Sequence, residues 1–389
     1  MNRLNIFLLA IGAFVTGTAE LIVAGILNII ADDMHISIAL AGQLVTAYSL
    51  AFAIGTPIVI ALTSRIRQKK LLVGAMLLFI VGCLASFASS DFTVLLLSRL
   101  LLGLSAGVYT VVAFSSAAKL VSPDKMGSAV SMVALGISSA MVLGVPAGVL
   151  ITQWWSWQSI FIVLAVVSLL ITIGMLRLLS EIAGDDPVPL KKQLTVLRNP
   201  TIVAGLFIAF CFSTSSSMMY SYVTPYFEKI LQLKIENIGV MLFIMGIFGV
   251  IGSRLGGMGV DKWGAVRMLL LTLAVSSLSL VIIPLVTSSI FVGLGFVTIW
   301  VASFSAAVPA IQTYFIQLAP QSSNLVLGLN TSILHLGVAV GAGVGGLVVD
   351  STSTVQYNPW IAGSILALGL IVAVVTFSIR KKSRNSTKA

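Results

Sequence analysis

Charged side chains are scarce in this chain: 34 of 389 residues, 9%, are Asp, Glu, Lys or Arg, against roughly 25% in an ordinary soluble domain. So little charge cannot cover the surface of a water-soluble fold of this size. Cysteine is nearly absent too. Cys83 and Cys211 lie far apart, each inside an apolar run, which excludes a disulfide framework and a zinc-ligand spacing and reads as two buried thiols. With only two histidines the sequence offers no metal-ligand cluster and no nucleophile triad, and it carries no P-loop. Gly341-Ala-Gly343-Val-Gly345-Gly346 fits G-x-G-x-x-G letter by letter, but it sits in an apolar span and follows no strand of a βαβ unit. Neither a cofactor nor a metal is implied.

What the chain has instead is apolar length. Hydrophobic residues make up 58% of it and the mean hydropathy is +1.10. A bilayer accepts such a chain, because each run of roughly 17 to 25 apolar residues spans the hydrocarbon as a helix that satisfies its own backbone hydrogen bonds. The net charge of +10 does not point to nucleic acid, since the basic residues sit in short clusters between apolar runs. Met1-Asn2-Arg3 and the apolar run behind it imitate a signal peptide, but the run continues to Ile30, so it reads as an uncleaved first span.

Apolar runs broken by charge, Pro and Gly predict an all-α membrane protein of twelve spans, at 6–29, 40–62, 71–89, 93–115, 128–151, 158–178, 201–223, 237–257, 268–286, 290–311, 325–348 and 360–380. Placing the N-terminus in the cytoplasm puts 19 of the 22 Lys and Arg residues on that side, so both termini are expected there. The polar stretch 180–199, with Asp185-Asp186-Pro187 and Lys191-Lys192, divides the spans six and six. It predicts a bundle over 1–179, a cytoplasmic linker over 180–199, and a second bundle with a basic tail over 200–389.

Repetition supports the division. Span 5 carries Gly136, Ala140, Gly144 and Gly148 at four-residue spacing, and span 11 carries Gly337, Gly341 and Gly345 at an offset of 201. Small-residue stripes let helices approach closely, and a matched pair in two halves fits a transporter built from parallel repeats.

Four features could carry chemistry. Glu20 lies in mid-span 1, on a face with Ala13, Thr16, Gly17, Ala24 and Asn28. Removing a carboxylate from water favours its neutral form, so Glu20 is a candidate for binding and releasing a proton; a structural glutamate paired to a neighbour is the competing reading. Arg99, in span 4, cannot lose its proton and either tunes Glu20 or snorkels to the membrane interface. His335, beside Asn330, Thr331 and Ser332 in span 11, suits a proton relay or a packed, neutral imidazole. Span 7 is rich in polar and aromatic groups, from Ser213 through Ser217, Tyr220 and Tyr222 to Tyr226. With Trp300 and Ser303 of span 10 these either line a cavity for a flat, neutral solute or serve as interhelical hydrogen bonds and an interfacial belt. Asn28, Gln43, Tyr220, Trp300, Asn330 and His335 are the candidate substrate contacts.

The whole chain resembles the major facilitator superfamily, and within it the bacterial drug:proton antiporter family in its arabinose-efflux and purine-efflux branch. Span 1 is similar in Gly17-Thr-Ala-Glu20-Leu-Ile-Val-Ala-Gly25, and span 4 resembles the family's Arg-x-x-x-Gly at Arg99 and Gly103. Span 5 resembles the antiporter signature at Gly136, Gly144, Pro146 and Gly148, with Val145 between Gly144 and Pro146 as in the efflux branch. The loop Gly257-Met-Gly-Val-Asp261-Lys262-Trp-Gly264-Ala-Val-Arg267 is similar to the family's cytoplasmic gating loop. Its first-half copy, Ser64-Arg65-Ile-Arg67-Gln-Lys69-Lys70, is degenerate, which puts locking of that loop in doubt.

The resemblance implies proton coupling at Glu20 and Arg99, bending and sealing of span 5 at Gly144, Pro146 and Gly148, and export of a small molecule such as a purine base, nucleoside or drug. Protons, a small solute and the lipid bilayer are the expected partners of a monomer whose halves rock around a midplane cavity. A proton-coupled importer of the same architecture is separated from this by transport direction, an intramembrane enzyme by product analysis, and a passive channel by saturable, gradient-driven flux.

Overall fold

The computed structural model describes residues 3–63, 65–122, 126–182, 198–319 and 323–386. Twelve helices are long and apolar enough to cross a membrane. They are α1 (Leu4–Gly25), α2 (Ile38–Thr63), α3 (Gln68–Phe87), α4 (Phe92–Lys119), α5 (Ala129–Trp154), α6 (Ser159–Leu178), α7 (Pro200–Tyr220), α8 (Glu236–Trp263), α9 (Ala265–Leu285), α10 (Ile290–Leu318), α11 (Val326–Thr352) and α12 (Asn358–Ser378). Each expected span has its helix. Helices α8 and α10 run six or seven residues past the expected ends, because hydropathy marks where a span leaves the apolar layer and not where its helix stops.

The chain divides into two compact units, Met1–Val188 with Ile235–Phe243, and Pro189–Lys234 with Ile244–Ala389. The first turns of α8 thus group with the first unit. Most of the expected 180–199 linker, residues 183–197, lies outside the described residues.

The helix starts follow local chemistry. Asp91 caps α4, its Oδ1 accepting from the backbone N–H of Thr93 and Val94 at 2.8 and 3.0 Å. Asn199 caps α7 through Thr201 N–H at 3.0 Å, with Pro200 at the first helical position.

In the first unit the α5 stripe packs on α1. A Cβ added at Gly136 would collide with the Ala10 carbonyl, one at Gly144 with Thr18 Oγ1, and one at Gly148 with Ile22. In the second unit α11 packs on α7 by the same device, with Gly337 against Ser213, Gly341 against the Thr214 carbonyl and Gly345 against the Tyr222 ring. Matched stripes therefore make matched seams.

The repeat extends to the backbone. Helix α1 breaks at Ile26 (φ −121°, ψ 20°) and the chain after α7 breaks at Tyr222 (φ −114°, ψ 17°). Each break leads through a short helix to a residue with φ of 53°, His35 in one unit and Gln232 in the other. The break at Ile26 places Asn28 in the short helix Leu27–Asp33, where it is buried, while Glu20 lies on α1.

Two helices carry a π turn shortly before a proline: Ala51–Gly55 before Pro57 in α2, and Ala140–Gly144 before Pro146 in α5. Proline lacks the N–H that would continue the ladder, and its ring clashes with the carbonyl four residues back; the wide turn absorbs both.

Gly264, between α8 and α9, has φ +84° and ψ 155°, a conformation essentially restricted to glycine. Gly264→Ala is expected to lose about 1–3 kcal/mol of stability, read as a lowered melting temperature of the purified protein.

Candidate functional site

Arg99 is fully buried, which rules out the snorkelling alternative. Its Nη1 donates to the Ala19 carbonyl of α1 at 2.8 Å and its Nε to the Leu44 carbonyl of α2 at 3.3 Å. The guanidinium carbon lies 4.4 Å from the centroid of the Tyr48 ring, a cation–π contact. Nη2 is buried without a hydrogen-bond partner. Glu20, partly exposed on α1 and next in sequence to Ala19, is close enough for its charge to act on both Arg99 and Tyr48. Two of the features that sequence singled out for chemistry, Glu20 and Arg99, therefore lie within electrostatic reach of each other.

Tyr48 was not among the candidates. It is buried, and its hydroxyl donates to the Thr16 carbonyl at a long 3.4 Å. It also explains the spacing of Arg99 and Gly103. These residues, one turn apart on α4, meet the same tyrosine: the guanidinium covers its ring, while a Cβ on Gly103 would collide with its carbonyl oxygen. Gly107 continues the seam against Thr56.

A cation that cannot be deprotonated is held here by two carbonyls, an aromatic face and a nearby carboxylate. With Glu20 ionised the cluster is formally neutral; with Glu20 protonated it carries a buried positive charge. Isolated buried charge is penalised by several kcal/mol, so the two protonation states weigh differently on the packing of α1, α2 and α4.

Gln43 is partly buried beside Leu44. The short helix carrying Asn28 is pinned at its end, where Trp157 Nε1 donates to Asp33 Oδ2 at 2.8 Å.

In the second unit several polar groups of span 7 make interhelical hydrogen bonds. Ser213 donates to the Leu334 carbonyl, Ser217 to that of Val338 and Tyr222 to that of Ala342, which laces α7 to α11. Tyr226 is buried and forms no interfacial belt. Ser303 bonds Ser276 of α9 at 2.8 Å. Tyr220 and His335 stay partly exposed, and the Thr331 carbonyl 3.0 Å from His335 Nδ1 can only accept, which places a proton on that nitrogen. Trp300 and Asn330 are almost fully buried, with the indole N–H and the Asn330 Oδ1 lacking hydrogen-bond partners among the described residues. Trp300 adjoins Phe304, partly exposed, which stacks on Phe212 with centroids 4.3 Å apart and planes 4° from parallel.

Asp261, Lys262 and Arg267 are exposed around Gly264, with Lys262 Nζ 5.9 Å from the Trp263 ring centroid. A Cβ at Gly257 would meet nothing within 4 Å, so packing does not require that glycine. The degenerate first-half loop is held by a residue that the motif comparison passed over. Gln68 Nε2 donates to Ser115 Oγ and its Oε1 accepts from Ser116 Oγ, both at 2.8 Å, while its backbone N–H bonds the Ile182 carbonyl at 3.0 Å. Exposed flanking contacts, Arg67 to Glu181 at 3.4 Å and Lys69 to the Leu176 carbonyl at 3.0 Å, follow the same path.

The family model described as Major Facilitator Superfamily matches residues 9–324 and 206–389. The chain is 33% identical to "Uncharacterized MFS-type transporter YbcL" of Bacillus subtilis (strain 168) over 374 residues, 96% of this chain and 95% of that protein. It is 29% identical to "Uncharacterized MFS-type transporter YtbD" of the same strain, covering 98% of each, and 29% identical to "Inner membrane transport protein YdhP" of Escherichia coli (strain K12), covering 96% of this chain and 95% of the other. With twelve spanning helices and matches that run through both units, the chain belongs to the Major Facilitator Superfamily and is a multi-pass transporter of the cell membrane.

Proposed function

We propose that this transporter is a proton-coupled antiporter of the drug:proton antiporter family's purine-efflux type, exporting a flat, neutral solute such as a purine base or nucleoside by alternating access. The observation that carries the coupling is the burial of Arg99 beside Glu20. A proton taken up by Glu20 changes the net charge of a cluster linking three helices, so it favours whichever conformation hydrates or pairs the guanidinium better. By linkage, a solute that binds the other conformation better competes with the proton and is exchanged for it.

The second unit supports the solute class. Helices α7 and α10 contain no charged residue, and α11 has only Asp350, near its end. Stacked Phe212 and Phe304 offer aromatic faces, while Trp300 and Asn330 hold an unused donor and an unused acceptor. A purine ring presents faces and edges of this kind. Tyr220, Phe304 and His335, the partly exposed members, make first contact; Trp300 and Asn330 engage once uncovered.

Everted membrane vesicles with an acidified lumen test the reading, using radiolabelled hypoxanthine and inosine, with ethidium for the drug alternative. For one-for-one exchange a gradient of about one pH unit supports roughly tenfold accumulation. The parent is expected to accumulate a purine in the lumen and to lose it when nigericin dissipates the gradient. Glu20→Gln is expected to bring the accumulation ratio to about one while counterflow exchange of the same purine continues. A Glu20→Gln protein that concentrates solute as well as the parent refutes the assignment.

A further inference from the structure

We infer that Tyr48 is the positioning residue of the Glu20–Arg99 pair, its ring standing in as the partner of the guanidinium whenever Glu20 is protonated; this rests on the reading of Glu20 as the proton site. The argument starts from the fact that arginine keeps its charge. Once Glu20 is neutral, what remains around the cation is the Ala19 carbonyl at 2.8 Å, the Leu44 carbonyl at 3.3 Å and the Tyr48 face at 4.4 Å. The carbonyls belong to backbones already engaged in helices, so among the described residues the ring is the side-chain group that compensates the cation independently of pH.

The ring itself is fixed. Tyr48 is 1% exposed, and Gly103 seats α4 directly against its carbonyl. The hydroxyl contributes little, because its bond to the Thr16 carbonyl is long at 3.4 Å. The face, not the O–H, therefore does the holding.

Charged and titratable groups around Glu20 are few. Arg99 comes from α4 and Tyr48 from α2, and the Cys83 thiol of α3 lies near enough to interact with both. Helix α5 has no titratable residue, and α6 has only Arg177, at its far end. Without the ring, the guanidinium leans on the Glu20 carboxylate, which favours the ionised form and moves proton binding to lower pH.

The test is an infrared titration of the purified full-length protein in a maltoside detergent, which has no carbonyl of its own. The signal is the carboxylic-acid C=O band that disappears in Glu20→Gln. In Tyr48→Leu and Tyr48→Met its midpoint is expected to fall by about one to one and a half pH units, the size of a largely desolvated cation–π contact. Tyr48→Phe is expected to titrate as the parent. Two non-aromatic variants of different shape are used so that one misfolded protein does not decide the result, with each checked for a monodisperse elution peak. A band lost in Glu20→Gln whose midpoint stays or rises in both non-aromatic variants overturns the role of Tyr48 and leaves Glu20 as the proton site. A Phe variant shifted as far as the Leu variant also overturns it, in favour of the hydroxyl. If Glu20→Gln removes no titrating band, the reading of Glu20 fails, and the Tyr48 role fails with it.

Discussion

Arg99→Met is expected to reduce gradient-driven purine accumulation by about 100-fold, while Arg99→Lys falls between it and the parent. Removing the charge of the fully buried guanidinium from the cluster is expected to cost about 3 kcal/mol, and 2.8 kcal/mol corresponds to a factor of 100. Methionine fills much of the space left by the guanidinium, so the loss is electrostatic more than steric. Glu20 then loses the cation within reach of its charge, and exchange of its proton for solute is expected to fail. Lysine restores the charge as a point on a flexible stem. It cannot reach the Ala19 and Leu44 carbonyls together while lying flat on Tyr48, as the planar fork of arginine does. Proton-gradient-driven uptake and counterflow, measured side by side in everted vesicles, check this. Coupling is expected to collapse in Arg99→Met while counterflow of the same purine persists. Equal loss of both activities means that Arg99 holds the bundle together and does not link proton to solute.

How much of this site was legible in the sequence follows from what each residue type signals. A carboxylate or a guanidinium in an apolar span is conspicuous because its burial is expensive, so Glu20 and Arg99 announce themselves, and the structure places them within electrostatic reach of each other. The glycine stripes are equally legible, since their four-residue spacing maps directly onto the α1–α5 and α7–α11 seams. Tyr48 gives no such signal. An aromatic residue in an apolar helix looks the same whether it faces lipid, core or a cation, and only the crossing of α2 with α4 brings the guanidinium over its ring.

The serines of α7 were legible only as far as two alternatives, for a related reason. A hydroxyl in a span announces a hydrogen bond but not its partner, and α11 takes Ser213 and Ser217 into a seam. Gln68 was hidden by the motif itself, because a pattern that asks for aspartate and glycine does not register an amide that ties the same loop down by other bonds. The breaks at Ile26 and Tyr222 leave no trace in hydropathy, since a helix that kinks within the bilayer is as apolar as one that does not.

Gly103→Ala is expected to be among the most damaging single-methyl additions in the first unit, and more so than Gly74→Ala in α3, where an added Cβ would meet nothing within 4 Å. At Gly103 the obstacle is the backbone carbonyl of Tyr48, which has no rotamer to move into, so α2 and α4 must separate. Overpacking of this kind typically costs 1–3 kcal/mol. Separation also lifts Tyr48 from Arg99, because both contacts sit on one turn of α4. Stability and coupling are therefore expected to fall together in Gly103→Ala, with a melting temperature several degrees below that of Gly74→Ala and a Glu20 titration displaced in the direction of Tyr48→Leu. A Gly103→Ala protein that melts and titrates like the parent means that the α2–α4 seam yields without disturbing the cation. The Arg-x-x-x-Gly spacing then serves some purpose other than seating one tyrosine between a charge and a crossing.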